Sequence, residues 1–249
     1  MTRTVSLFVS CFNDMMFPKT ARAAVKVLNK LNVKVRFPDE QTCCGQIHFN
    51  TGYAPMAVSL VKHFVESFRG SDEVVALSAS CTAMVREHYL ELASRTHDNE
   101  LISRTEELVP KVFEFSEYLT GVLGVTDVGA YYPHKVSYHP TCHSLRSLHI
   151  YHSAVELLGA VKGLELVDLP YAEQCCGFGG TFSVKNSAMS TAMLADKTAS
   201  IVNARAETVV AVDNSCLMHI SGALRKNGTG VSVMHLAEVL AQGMDGGEI

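Results

Sequence analysis

An internal duplication constrains this chain more than any other feature of its sequence. VSLFVSC at 5–11 is matched by VSYHPTC at 136–142, and LNVKVRFP at 31–38 by LELVDLP at 164–170. EQTCCG at 40–45 then aligns with EQCCG at 173–177, VVALSASC at 74–81 with VVAVDNSC at 209–216, and VFEFSEYL at 112–119 with VMHLAEVL at 233–240. Five blocks in one order mean that the same supersecondary unit is built twice. The join is expected near 128–133, in DVGAYYP, whose turn residues and proline suit a connection. This gives repeats at 1–130 and 131–249.

Within each half, short runs rich in Val, Leu and Phe (5–9, 33–37 and 74–77; 136–138, 164–169 and 209–212) have the length and continuity of buried strands. Between them Ala21, Ala24, Val25 and Leu28 fall on one helical face, as do Ala57, Leu60, Val61, Phe64 and Phe68. Ala188, Ala192, Ala195, Ala199 and Val202 form a similar stripe in the second half, which predicts a core-facing side rather than a cofactor box. Strands alternating with helices predict an α/β fold of two tandem pseudo-symmetric repeats, each a mostly parallel sheet covered by helices.

With 249 residues, 47% of them hydrophobic, the chain can bury a large core. A formal net charge of −4 without any run of five like charges leaves no electrostatic footprint for nucleic acid. No stretch reaches the roughly eighteen apolar residues of a transmembrane segment. The N-terminal apolar run breaks at Asn13 and Asp14 and lacks a cleavage site, so it reads as a first strand rather than a secretory leader. The expected setting is cytoplasmic, peripheral to a membrane only through partners, where eight cysteines stay reduced and available to metal.

Every cysteine has a repeat-equivalent: Cys11 with Cys142, Cys43 with Cys175, Cys44 with Cys176, and Cys81 with Cys216. Adjacent cysteines make poor disulfide partners, because neighbouring Cα atoms are only about 3.8 Å apart. In a parallel sheet, Cys11, Cys81, Cys142 and Cys216 each follow a strand, and each CysCysGly comes shortly after another. Three strand ends per half can therefore gather four thiolates where open α/β sheets bind ligands. Four sulfurs suit zinc or an iron–sulfur cluster. The spacing favours the cluster, since there is no local Cys-x2-Cys knuckle and vicinal thiolates can serve neighbouring irons. Gly45 and Gly177 suit backbone that passes close to such a group.

These residues resemble the CCG-domain (cysteine-rich domain) family, whose motif is a Cys, then a CysCysGly, then a Cys-x2-Cys. Members include one of the subunits of heterodisulfide reductase and the iron–sulfur subunits of glycolate oxidase and anaerobic glycerol-3-phosphate dehydrogenase. CCGFGGTFSVKN at 175–186, DNSCLMHISG at 213–222 and the two-repeat length are most similar to the lactate utilisation protein A branch. The resemblance implies a cytoplasmic electron-transfer subunit of an L-lactate-oxidising complex, working with a partner iron–sulfur subunit and an acceptor such as quinone. It implies Cys11, Cys43, Cys44 and Cys81 as cluster ligands in the first half, and Cys142, Cys175, Cys176 and Cys216 in the second. One thiol per half departs from the motif, because Ser78 and Asp213 stand where Cys-x2-Cys would begin. That argues against the five-thiolate non-cubane clusters of heterodisulfide reductase and for one or two simpler clusters, 4Fe–4S or 2Fe–2S.

Asp213 could supply a carboxylate ligand or accept a hydrogen bond. His139 and His143 flank Cys142 and could donate to a cluster sulfur, relay a proton or replace a thiolate, although a hydrogen-bonded histidine at a strand end is the commoner role. GFGG at 177–180 matches neither the Rossmann nor the Walker pattern and predicts a turn near the metal. Without Gly-x-Ser-x-Gly or paired carboxylates, a hydrolase has no support. No residue is assigned to taking a proton or hydride from lactate. Two other functions stay open: a heterodisulfide-reductase-like thiol/disulfide oxidoreductase acting at the second-half thiolates, and a zinc-stabilised non-catalytic scaffold.

Overall fold

The computed structural model describes residues 3–244; residues 1–2 and 245–249, the outer ends of the two expected repeats, lie outside the described residues. In the first half β1 (Thr4–Phe8), β2 (Lys34–Arg36), β3 (Val74–Ala76) and β4 (Val112–Glu114) form an all-parallel sheet in the order β2-β1-β3-β4. The second half repeats it with β5 (Lys135–Tyr138), β6 (Glu165–Val167), β7 (Thr208–Ala211) and β8 (Ser232–His235) in the order β6-β5-β7-β8. All six expected strands are present, and β4 and β8 arise from the fifth repeated block.

Parallel neighbours need crossover connections. The Pro18–Lys30 helix lies between β1 and β2 and the Ala54–Ser67 helix between β2 and β3, with Tyr151–Gly159 and Ser187–Asn203 in the same places of the second half. Proline opens both first-half helices, where its missing N–H costs no intrahelical bond. The central strands β3 and β7 are buried along their whole length, as expected of strands covered on both faces. Among the described residues no helix is long and apolar enough to cross a membrane.

The largest core belongs to neither half alone. Val5, Leu7, Ala24 and Leu28 pack in one cluster with Val136, Leu157, Leu236 and Leu240. Two equivalent helix contacts close it: Leu236–Leu240 lies on Pro18–Lys30, and Phe115–Glu117 on Tyr151–Gly159. A smaller core in the first half holds Phe8, Phe64, Phe68 and Tyr89, and one in the second holds Leu169, Cys176, Ile201 and Ile220.

One sequence expectation is overturned here. Ala188, Ala192, Ala195, Ala199 and Val202 are all exposed, and the Ser187–Asn203 helix instead buries Ser190, Lys197, Thr198, Ser200 and Ile201. The reason is what it faces, a loop that presents carbonyl groups. Ser200 Oγ donates to Pro170 O, Lys197 Nζ to Tyr171 O (2.9 Å) and Ala172 O (3.1 Å), and Ser190 Oγ to Gly177 O (2.7 Å). A buried carbonyl left without a donor costs about 1–3 kcal/mol. Burying an alanine methyl in its place returns only about 0.8 kcal/mol.

Candidate metal centres

In each sheet the connections change direction between two central strands, β1 and β3 or β5 and β7. The crevice outside their carboxyl ends is where open α/β sheets bind ligands. Cys11 opens the Cys11–Met16 helix just after β1, Cys81 lies in the Ala79–Ala83 helix after β3, and Cys43 and Cys44 follow β2. Cys142 opens Cys142–Arg146 after β5, Cys216 lies in the first turn of Asn214–Lys226 after β7, and Cys175 and Cys176 follow β6.

All eight cysteines are free thiols. In the first half Cys11 is hydrogen-bonded to Cys43, Cys43 to Cys44, and Cys44 to Cys81, the last pair with sulfurs 3.1 Å apart. The second half repeats the chain as Cys142, Cys175, Cys176 and Cys216. Each expected set of four is thus brought together.

Gly45 (φ 86°) and Gly177 (φ 85°) take up left-handed backbone that turns their N–H back onto sulfur, at 3.4 Å from Cys43 Sγ and 3.3 Å from Cys175 Sγ. A Cβ on Gly177 would stand 2.6 Å from Ser190 O. Hydrogen bonds from Cys11 and Cys44 pull Cys43 far below the ordinary thiol range, and those from Cys142 and Cys176 do the same to Cys175. The opposite shift falls on the neighbours: the bond to Cys43 and then burial push Cys11 up, and the bonds to Cys43 and Cys81 push Cys44 up. Negative charge on one sulfur of each set thus opposes ionisation of its neighbours, and a soft cation entering the set would offset that repulsion. Such a donor set fits a soft metal ion or a cluster.

The two positions of the missing fifth cysteine face each other across the halves. Ser78 Oγ donates to Asp213 Oδ1 at 2.7 Å, joined there by Ser80 N (3.1 Å) and Ser80 Oγ (2.9 Å), while Thr141 Oγ1 donates to Oδ2 at 2.7 Å. Both carboxylate oxygens are taken. Of the two roles expected for Asp213, the structure favours hydrogen-bond acceptor over metal ligand. His143 is likewise engaged: Gln46 Nε2 donates to its Nε2 (3.2 Å) and to Ser80 O (2.9 Å), tying the first CysCysGly segment to the second half.

His139, not His143, is the histidine at the second thiol set. Its nearest ring nitrogen and the sulfurs of Cys176 and Cys216 all lie within 4.8 Å of one another. Gln46, Ser80, Thr141 and Lys197 were invisible in the sequence as parts of the site. Only Lys197 left a trace, as the one lysine of the alanine-rich helix that follows the second CysCysGly.

Two open parallel sheets, each with four thiols at its switch point, define a duplicated protein built to bind metal or a cluster. The chain belongs to the cysteine-rich domain (CCG) family, whose model matches residues 5–86 and 136–221. It is 43% identical to Lactate utilization protein A of Exiguobacterium sp., over 96% of this chain and 98% of that one. It is 39% identical to the protein of the same name in Oceanobacillus iheyensis (98% of each chain) and 38% identical to Lactate utilization protein A 2 of Bacillus cereus (97% and 99%). The crystal structure of a hypothetical protein from Helicobacter pylori superposes with a TM-score of 0.69 at 11% identity, over 98% of this chain and 50% of that one, a likeness of fold alone.

Proposed function

We propose that this chain is an iron–sulfur electron-transfer subunit of an L-lactate-oxidising complex. One observation carries the reading: two four-thiol sets stand at the carboxyl ends of two parallel sheets, in a chain whose near-full-length relatives are named for lactate utilisation. Cys11, Cys43, Cys44 and Cys81 would hold one cluster, and Cys142, Cys175, Cys176 and Cys216 a second. A 4Fe–4S cluster bound in this way stores and releases single electrons. The chain's part is to hold and shield it. Cys44, Cys81 and Cys176 are buried, which keeps water from one side, and the N–H groups of Gly45 and Gly177 offset negative charge on sulfur. Cys11, Cys43, Cys142 and Cys175 are half-exposed, leaving an open side for a partner iron–sulfur subunit, with quinone as the distal acceptor. No residue of this chain is assigned to taking a proton or hydride from lactate, and the setting is cytoplasmic.

Anaerobic purification with co-expressed neighbours, followed by iron and sulfide analysis and a lactate-dependent reduction assay, tests this. Iron and sulfide at cluster stoichiometry, with electron paramagnetic signals on adding lactate, are expected. Protein lacking both elements would refute it. A second reading, one zinc ion in the second half, is favoured by the closeness of His139, Cys176 and Cys216. It predicts one tightly held zinc per chain under the same conditions.

A further inference from the structure

The two thiol sets are equivalent by position but not by surroundings. The first is backed by aromatic rings: Phe8 meets Phe64 edge-on at 4.9 Å, Phe64 meets Tyr89 at 5.2 Å, and Tyr89 Oη donates to Cys44 O at 2.9 Å. In the second half the repeat alignment puts His139 at the position of Phe8. The helices behind the two CysCysGly turns can also be matched. Ala57 and Leu60 face Gly45 as Ser190 and Met193 face Gly177, which sets Lys197 in register with Phe64. An apolar pair in one half is thus an ionisable pair in the other.

Both replacements are fully buried. Lys197 donates to the carbonyls of Tyr171 and Ala172, just ahead of Cys175. Burial pulls its pKa down, and the four second-half thiols oppose this by holding it charged. A buried ammonium without an anion nearby is costly, so its presence marks negative charge beside it, and the thiolate set is that charge. Neither ring nitrogen of His139 makes a well-formed hydrogen bond among the described residues. One of its ring nitrogens lies within 4.8 Å of the sulfurs of Cys176 and Cys216, placed to offer an N–H to a centre held there.

We propose that Lys197 and His139 hold the reduction potential of the second-half centre above that of the first-half centre, so that the first electron the chain takes up resides in the second half. This rests on the iron–sulfur reading above. One-electron reduction adds one negative charge to a centre. A buried cation and an N–H donor favour the reduced state in a low-dielectric site, and the rings of Phe8 and Phe64 supply neither. Lys197 and His139 act as positioning residues.

The test is an anaerobic redox titration followed by electron paramagnetic resonance, on protein confirmed to hold iron and sulfide. Cys11→Ser, which lacks a first-half ligand, assigns each signal to its half. In the wild type the second-half centre is expected to reduce first. Lys197→Met should make reduction of that centre at least tenfold less favourable, about 59 mV for one electron, and leave the first-half centre unmoved. Lys197→Arg should restore the potential, and His139→Phe should lower it by a smaller factor. If Lys197→Met does not fold, Lys197→Gln removes the charge while keeping a donor, and the wild-type order still decides. Clusters that titrate together, in reverse order, or alike in wild type and charge-removed variants would overturn the inference alone. Wild-type protein without clusters would overturn the iron–sulfur reading and the inference with it.

Discussion

Replacing Asp213 with alanine removes the acceptor that joins the two halves at the missing-cysteine positions. Four donors converge on it, from Ser78 Oγ, Ser80 N, Ser80 Oγ and Thr141 Oγ1, and its residue is only 2% exposed. Ser80 is partly exposed and can turn to water, but Ser78 and Thr141 are buried and cannot. Hydrogen bonds to a charged acceptor contribute about 1.5–3 kcal/mol each. Losing the two that solvent cannot replace predicts a cost of about 3–6 kcal/mol, a large share of the roughly 5–15 kcal/mol that typically holds a domain folded. Asp213→Asn keeps the shape: its oxygen can accept from Ser78 and Ser80, and its amide N–H can give to Thr141 Oγ1, which turns from donor to acceptor. That exchange should cost about 1–2 kcal/mol. Equilibrium urea unfolding followed by far-ultraviolet circular dichroism measures both, because the chain has no tryptophan to report by fluorescence. An alanine variant as stable as the asparagine variant would refute the bridging role. An asparagine variant that keeps its stability but loses its metal would show the carboxylate to be a ligand after all.

Glu114 is fully buried, and burial raises its pKa to about 8, with Oε2 capping the next helix and Oε1 unpartnered among the described residues. An acid with a raised folded pKa binds its proton more tightly when folded. Its contribution is complete below about pH 4.5 and falls as pH rises through 8, by at most about 1.4 kcal/mol per pH unit; Glu114→Gln should flatten that part of the stability profile measured by urea unfolding. Gly177→Ala combines left-handed backbone with a Cβ 2.6 Å from Ser190 O, and should cost about 2–5 kcal/mol in thermal melts and deplete second-half metal. Gly180→Ala, at φ 61° with its nearest neighbour 3.8 Å away, should cost only about 1–2 kcal/mol. Ala192→Glu, on the exposed side of its helix, should change stability by no more than about 0.5 kcal/mol. Ser190→Ala, on the inward side, should cost about 1–2 kcal/mol.

The duplication, the strand–helix alternation and the equivalence of all eight cysteines were legible in the sequence. Each depends on local period or on direct repetition, which a linear chain displays without folding. VVALSASC and VVAVDNSC are recognisable as strand and turn wherever they pack, and the parallel sheets then place their cysteines at the strand ends. Tertiary structure alone decided which side of the Ser187–Asn203 helix is buried. The alanine stripe looked like a core face, but the opposing loop offers carbonyls, so serine and lysine donors were drawn inward. It also decided that Asp213 reaches across to Ser78 and Ser80, that His143 meets Gln46, and that Lys197 takes the place of Phe64. These outcomes turn on groups far apart in sequence, since a buried polar atom is committed by whichever partner the fold sets opposite it.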